Sequence, residues 1–300
     1  MAKVAHLRST WAHAANRCFA IRSFSFAQPE PILNAERLRD TLHDLAHSMA
    51  SSLSTKGYWT NTDKQLLVSP EEVRAMRSQC IALRNEGRFE QSWSESIDAQ
   101  TGKATRFDKD GVFACEPDGS DYETAPDLLV YMSTLIGLLP PLMNDAVNAA
   151  ANAEPPSPPH VPLSLSNQSF NAKLAVTSPG GSVYPLHVDN SLGITGSDTR
   201  KLTCILYLNP DYAKGDGGEL RLVLDKNETL DLDPRGGRLV VFWSDEIPHE
   251  VLPCAPGKST EDSNYDRYAL TVWIPDMDPR NIQPVGSKFE SLRLDAFAVK

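Results

Sequence analysis

Residues 202–243 read LTCILYLNPDYAKGDGGELRLVLDKNETLDLDPRGGRLVVFW and carry the strongest structural signal in the chain. This stretch holds four short runs rich in aliphatic and β-branched residues, separated by Gly, Pro, Asn and Asp. Such runs are typical of β-strands, and the residues between them are typical of tight turns. The pattern continues on both sides and predicts eight strands: 172–176, 183–188, 202–208, 218–224, 228–232, 238–243, 249–254 and 268–274. Short strands at close spacing predict a sandwich or barrel.

The region before these strands is predicted to be helical. Apolar residues recur there at intervals of three or four, which predicts three helices: 31–53, 70–86 and one beginning near Pro126. The adjacent Pro140 and Pro141 are expected to interrupt the third helix, because proline lacks an amide hydrogen. The stretch 154–162, EPPSPPHVP, predicts a stiff extended connector.

Composition excludes several classes of protein. Apolar residues make up 41% and charged residues 23% of the chain, which is typical of a globular protein. The net charge is −10, without a dense basic stripe, so we expect no nucleic-acid partner. No run of about 18 apolar residues occurs, so we expect no membrane partner. The five cysteines are odd in number and far apart, which argues against a disulfide framework and favours a reduced, intracellular protein.

The first 29 residues form a basic leader without Asp or Glu. Arg- and Ser-rich segments that lack acids are typical of mitochondrial or plastid transit peptides. A plain disordered terminus is the equally weighted alternative. We therefore divide the chain into the leader 1–29, a helical region with connector 30–162, a β domain 163–276 and a C-terminal tail 277–300. We expect the protein in the cytoplasm or nucleus, unless the leader directs it to a mitochondrion or plastid.

Two motifs in the β-rich part are suited to binding a metal. His187 and Asp189 are two residues apart at the end of the predicted strand 183–188, so in extended backbone their side chains point to the same face. His249 begins another predicted strand after a turn that contains Pro248. Two imidazoles and one carboxylate form the facial triad typical of non-haem Fe(II) sites. Each motif alone is weak evidence, since histidines in protein cores are common.

Arg267 directly precedes the last predicted strand, 268–274, and by alternation shares a face with Ala269, Thr271 and Trp273. Burying an arginine inside an apolar strand is costly unless it meets an anion. A dicarboxylate co-substrate would be such an anion, because the planar guanidinium binds a carboxylate through two hydrogen bonds.

The order of these motifs resembles the Fe(II)/2-oxoglutarate dioxygenases, within them the prolyl 4-hydroxylase family, and most closely the type that acts on hypoxia-inducible factor. The similarity covers roughly residues 170–276. Six stretches carry it: 187–190 HVDN, 202–209 LTCILYLN, 217–221 GGELR, 241–245 VFWSD, 248–251 PHEV and 267–273 RYALTVW. The resemblance implies a double-stranded β-helix, or jelly roll, with the N-terminal helices packed against it, in the α+β class.

The resemblance also implies roles for individual residues. His187, Asp189 and His249 correspond to the iron ligands. Arg267 corresponds to the arginine that binds the distal carboxylate of 2-oxoglutarate, and Tyr207 to a tyrosine that assists it. Thr271 and Trp273 would line the same pocket, while Tyr184 and Arg200 lie where related enzymes contact a peptide substrate.

The implied activity is hydroxylation of a prolyl residue in a protein or peptide, coupled to decarboxylation of 2-oxoglutarate to succinate. It would require Fe(II), 2-oxoglutarate, O2 and L-ascorbate as a reductant, and we expect a monomer. Two alternatives stay open at this point. The protein could hydroxylate a free amino acid or other small molecule, or it could be a non-catalytic barrel that senses iron or 2-oxoglutarate.

Overall fold

The computed structural model describes residues 30–97, 104–152, 161–181, 184–190, 198–225, 228–255, 257–259 and 263–282. Three predicted segments lie outside the described residues: the leader 1–29, most of the connector 154–162 and the tail from 283 onward. Three helices are described: α1 (Ala35–Lys56), α2 (Pro70–Asn85) and α3 (Pro126–Asn152). The strands are β1 (Tyr58–Thr60), β2 (Glu90–Ile97), β3 (Ala104–Cys115), β4 (Asn171–Thr177), β5 (Tyr184–His187), β6 (Arg200–Tyr207), β7 (Leu220–Asp225), β8 (Glu228–Leu232), β9 (Leu239–Trp243), β10 (His249–Val251) and β11 (Arg267–Pro275).

These strands form two antiparallel sheets. The major sheet has seven strands in the order β1-β9-β6-β11-β4-β3-β2, and the minor sheet has four in the order β5-β10-β7-β8. All eight strands predicted from the sequence are present as β4 to β11. The non-sequential strand order and the two facing sheets confirm the predicted jelly-roll core with helices.

Each central strand of the major sheet is buried on both faces, and alternate residues enter different cores. On β11, Tyr268, Leu270 and Val272 belong to the larger apolar core, which also contains residues of all three helices. Ala269, between them, belongs to a smaller core shared with the minor sheet. Because successive side chains on a strand point in opposite directions, this second face forms the inner wall of the barrel.

The sequence predicted a helical N-terminal region, but this region also contains three strands. β1 pairs with β9, and β3 pairs with β4, so β1, β2 and β3 extend the major sheet at its two edges. The larger core is continuous from Leu38 on α1 to Ile274 on β11. β1 was missed because it is short and its partner β9 lies far away in the chain. β2 and β3 pair with each other, but both segments are largely polar and lack a clear period of two.

Helix α3 continues through Pro140 and Pro141, contrary to the predicted interruption. Proline inside a helix costs about 3 kcal/mol. Leu135 and Leu139 before the prolines and Met143 after them are fully or almost fully buried in the larger core, which holds both halves of the helix in line. Length and composition would also let α3 cross a membrane, but 67% of its most apolar window is buried inside the protein, as in the core helix of a soluble domain.

Candidate metal centre

Three of the predicted residues meet at the open end of the minor sheet. His187 ends β5 and His249 begins β10, and the two residues are directly paired across these antiparallel strands. Asp189 follows β5, and its Oδ1 lies 3.4 Å from Nε2 of His187 and 3.7 Å from Nε2 of His249. All three ligand atoms lie within 4.8 Å of one another. One metal ion can therefore contact all three, as the sequence predicted.

Both imidazoles are oriented by carbonyl groups of their own strand ends. Nδ1 of His187 lies 2.8 Å from the Pro185 oxygen, and Nδ1 of His249 lies 3.0 Å from the Ile247 oxygen. Such contacts make Nδ1 the protonated nitrogen and leave the Nε2 lone pair for a metal. Both Nε2 atoms face Asp189, so the histidines present their ligand atoms to the same point.

The two oxygens of the Asp189 carboxylate make different contacts. Its Oδ2 accepts hydrogen bonds from Thr203 Oγ1 at 2.8 Å and from Trp273 Nε1 at 2.9 Å. Thr203 in turn lies 2.7 Å from the Ser244 hydroxyl. With Oδ2 held in this way, Oδ1 is left to face the histidines. The network fixes the carboxylate as a ligand through one oxygen.

Electrostatics keep these groups in the protonation states that a metal requires. Burial would raise the pKa of Asp189, but His249, His187 and Arg200 outweigh it and hold the pKa well below its usual range. Burial, with repulsion from His187, lowers the pKa of His249 to about 4. Asp189 is therefore ionised and His249 neutral near pH 7, as metal ligands must be.

Arg267 lies on the inner face of the major sheet, 7% exposed. Its Nε donates to the Gly218 oxygen at 2.7 Å, and its guanidinium lies 5.0 Å from the centre of the Tyr207 ring. Among the described residues, no carboxylate lies within 4.0 Å of the guanidinium, and the buried Tyr207 hydroxyl has no hydrogen-bond partner. A buried cation and an unpaired hydroxyl in one place fit a carboxylate ligand.

The remaining predicted residues take varied positions. Thr271 lies on the inner face, opposite Ile205 of β6 and Lys173 of β4. Trp273 supports Asp189, a role that the sequence did not suggest. Arg200 is held by Asp198, donates to the Asp189 carbonyl oxygen at 2.7 Å and lies 5.6 Å from the Trp273 ring centre.

Sequence reasoning missed two lysines near the site. Lys173 of β4 is inward-facing because its direct neighbour across the sheet is Thr271. Lys109 of β3 lies 4.0 Å from the ring centre of Tyr184, the residue predicted to contact the substrate. The alternation of β4 around Lys173 was visible in the sequence, but which strand lay beside it was not.

Comparisons with known proteins agree with this geometry. Residues 172–275 match the family model described as the 2OG-Fe(II) oxygenase superfamily. The chain is 34% identical over 193 residues to Egl nine homolog 1 of Rattus norvegicus, an alignment that covers 60% of this chain and 49% of the relative. The chain thus spans less than half of the length of the curated Egl nine relatives it matches.

Two solved structures have the same fold. A prolyl-4-hydroxylase from Pseudomonas putida is 25% identical, with a TM-score of 0.54, covering 78% of this chain and 100% of its own. A prolyl hydroxylase from Trichoplax adhaerens, solved in complex with a peptide fragment of hypoxia inducible factor, is 22% identical with a TM-score of 0.60, covering 86% and 99%. Over residues 172–275 the chain therefore matches a 2OG-Fe(II) oxygenase domain, and the triad and the inward arginine agree with that match.

Proposed function

We propose that this protein is an Fe(II)- and 2-oxoglutarate-dependent dioxygenase that hydroxylates a prolyl residue of a protein or peptide. The observation that carries the proposal is the pairing of two features in one barrel. His187, Asp189 and His249 present three ligand atoms to one point, and Arg267 is buried nearby without an acidic partner among the described residues. A purely structural barrel has no use for this combination.

The donor set fits Fe(II). Two neutral imidazoles and one carboxylate form a set that leaves positions on the ion for other ligands. Fe(II) held there would supply the activation of O2 that oxidises a substrate C–H bond, with 2-oxoglutarate converted to succinate. Thr203 and Trp273 keep the Asp189 carboxylate oriented through its second oxygen, and the carbonyls of Pro185 and Ile247 keep the imidazoles oriented.

Arg267 is placed to hold the distal carboxylate of 2-oxoglutarate. Its Nε is engaged with Gly218, which fixes the plane of the guanidinium and leaves the terminal nitrogens for a ligand. Tyr207 would donate its unpaired hydroxyl to the same carboxylate. Thr271 and Trp273 on the same strand would line the pocket, as the sequence comparison implied.

Similarity to prolyl hydroxylases supports proline as the target. The two solved structures named above are prolyl hydroxylases, and the Trichoplax enzyme binds a peptide. Arg200 and Tyr184 border the centre and are the proposed peptide contacts. We also retain ascorbate as the reductant, a monomeric state, the absence of nucleic-acid or membrane partners and a cytoplasmic or nuclear location as parts of this proposal.

Hydroxylation of a free amino acid or other small molecule is the second candidate. It is favoured by the inward-facing Lys173, because a free amino acid carries a carboxylate that a lysine can bind. A non-catalytic sensor is less favoured, because the triad and Arg267 are all present.

Product analysis tests the proposal. Purified protein with Fe(II), 2-oxoglutarate and ascorbate is incubated in air with proline-containing peptides or with free L-proline, and succinate and hydroxyproline are measured by mass spectrometry. We expect succinate to form, and hydroxyproline to form in step with it for the correct substrate. Succinate without any hydroxylated proline in the best substrates found would overturn the prolyl assignment, and no succinate at all would overturn the dioxygenase assignment.

A further inference from the structure

Two partly buried lysines lie beside the proposed active site without a role in iron or 2-oxoglutarate binding. Lys173 occupies the inner face of β4 at the level of Thr271 on β11. Thr271 lies between Arg267 and Trp273 on the same face of that strand, so Lys173 is at the level of the metal centre. Lys109, on the neighbouring strand β3, approaches the same region from the edge of the barrel.

Tyr184 connects these lysines to the centre. The amine of Lys109 lies 4.0 Å from the centre of the Tyr184 ring, and Tyr184 lies on β5, three residues before His187. The Tyr184 hydroxyl is buried and has no hydrogen-bond partner within 3.5 Å among the described residues. A buried hydroxyl without a partner is costly, and a ligand that accepts its hydrogen bond would remove that cost.

The charges of Lys109 and Lys173 act on each other in this region. Among the described residues, no carboxylate lies within 4.0 Å of the Lys109 amine. Burial, with repulsion from Lys173, lowers the pKa of Lys109 to about 8. Burial also lowers the pKa of Lys173, and Glu116 only partly offsets this. Burial raises the pKa of Tyr184, and Ser92 and Arg267 offset only part of that rise. The same Ser92 hydroxyl lies 3.5 Å from the Lys173 amine. The two lysine charges therefore repel each other, and a negatively charged ligand placed between them would relieve that repulsion.

We propose that Lys109, Lys173 and the Tyr184 hydroxyl form a subsite that binds a carboxylate of the primary substrate, next to the carbon to be hydroxylated. The inference rests on the proposed function and sharpens its substrate class. The carboxylate has two sources: an Asp or Glu side chain near the target proline in a peptide, or the α-carboxylate of a free amino acid. 2-Oxoglutarate is not the ligand, because its distal carboxylate is already provided for by Arg267 and Tyr207.

Matched substrates that differ only in charge test this subsite. Each position flanking the proline of a hydroxylated peptide is changed in turn to Asp or to Asn, and free L-proline is compared with L-prolinamide. The measurements are kcat/KM for each substrate, KM for 2-oxoglutarate and the binding affinity of the same compounds to the iron-loaded protein without O2. The variants are Lys109→Gln, Lys173→Gln, the double variant and the charge-retaining Lys109→Arg.

Lys258→Gln is the matched control. Lys258 also stacks on a tyrosine, with its amine 4.5 Å from the ring centre of Tyr265, but it is exposed on the surface. The control removes the same charge and the same type of contact outside the subsite, so it should leave substrate preference unchanged.

We expect the wild type to prefer Asp over Asn at one position of the peptide, or L-proline over L-prolinamide. The preference should be about tenfold or more in both binding affinity and kcat/KM, because hydrogen bonds to charged groups are strong. The double variant should bring this ratio close to one, Lys109→Arg should retain it, and KM for 2-oxoglutarate should not change. Preference for Asp identifies an acidic peptide, and preference for L-proline identifies a free amino acid.

Three results would overturn the subsite. The first is a wild type without any preference for the charged substrates, and the second is a preference that survives in the double variant. The third is a higher KM for 2-oxoglutarate in the lysine variants, which would assign the lysines to the co-substrate. Failure of the proposed function is recognised separately: the wild type would then form no succinate from 2-oxoglutarate with any substrate.

Discussion

The two faces of the major sheet are both buried, yet they differ in chemistry. The face toward the helices is formed by apolar residues such as Leu174, Leu206 and Leu270. The inner face of the same strands bears Lys173, Thr203 and Arg267 between small and apolar residues. Alternate positions of one strand thus serve stability on one side and chemistry on the other. Substitutions on the two faces should therefore have separable effects.

The largest effect is expected from Asp189→Ala. This change removes the only anionic ligand of the proposed metal centre and leaves the Thr203 hydroxyl and Trp273 indole without their acceptor. Because losing even a supporting residue costs ~10–100-fold in metal affinity, losing a ligand should abolish iron-dependent succinate formation. Succinate production and iron content check it. A variant that keeps iron and turnover would exclude Asp189 as a ligand.

On the opposite face, Leu270→Ala should affect stability and leave the site intact. Leu270 is 1% exposed and lies in the larger core. Truncating a buried leucine costs about 2–5 kcal/mol through lost burial and the resulting cavity. Urea unfolding of the iron-free protein measures the loss. The separation of the two faces would be contradicted if KM for 2-oxoglutarate rose severalfold while the free energy of unfolding stayed the same.

Arg267→Lys should weaken 2-oxoglutarate binding about 10- to 100-fold while the protein stays folded. A lysine keeps the charge but loses the planar fork and the contact to the Gly218 oxygen. A titration of 2-oxoglutarate, followed by succinate formation, gives the apparent affinity.

Arg221→Lys is the control for that titration. Arg221 is a partly exposed arginine on the minor sheet that pairs with Asp231 at 2.7 Å. The control should bind 2-oxoglutarate as the wild type does. An unchanged affinity in Arg267→Lys would reject the role given to Arg267.

The smallest of the four effects is expected from Thr203→Val. The substitution removes one of the two hydrogen bonds to Oδ2 of Asp189 and keeps the volume of the side chain. Supporting residues of this kind contribute about tenfold to metal affinity. Competition with a coloured chelator measures the change in iron affinity. An affinity equal to that of the wild type would mean that Trp273 alone orients the carboxylate.

Much of the β domain could be predicted from the sequence, because it depends on local patterns. Period-two alternation and turn residues located β4 to β11, and the spacing in His187-Val188-Asp189 placed both proposed ligands on one face. The domain boundaries, by contrast, stay predictions.

Features that depend on distant pairing were not predictable. The bond from Trp273 to Asp189 and the inward position of Lys173 follow from β11 lying between β4 and β6, which no local pattern encodes. The same reason explains why β1, which pairs only with the distant β9, was missed. The continuity of α3 through its prolines depends on burial against α1 and the sheet, a tertiary effect that overrides local preference.

The most direct test of the central claim is the visible spectrum of the purified protein with Fe(II) and 2-oxoglutarate in the absence of O2. No primary substrate is needed. If the triad holds iron and Arg267 orients 2-oxoglutarate on it, a weak metal-to-ligand charge-transfer band appears, and it is lost in His187→Ala. If no band forms while both components are present at binding concentrations, iron and 2-oxoglutarate do not meet at this site and the dioxygenase assignment is contradicted.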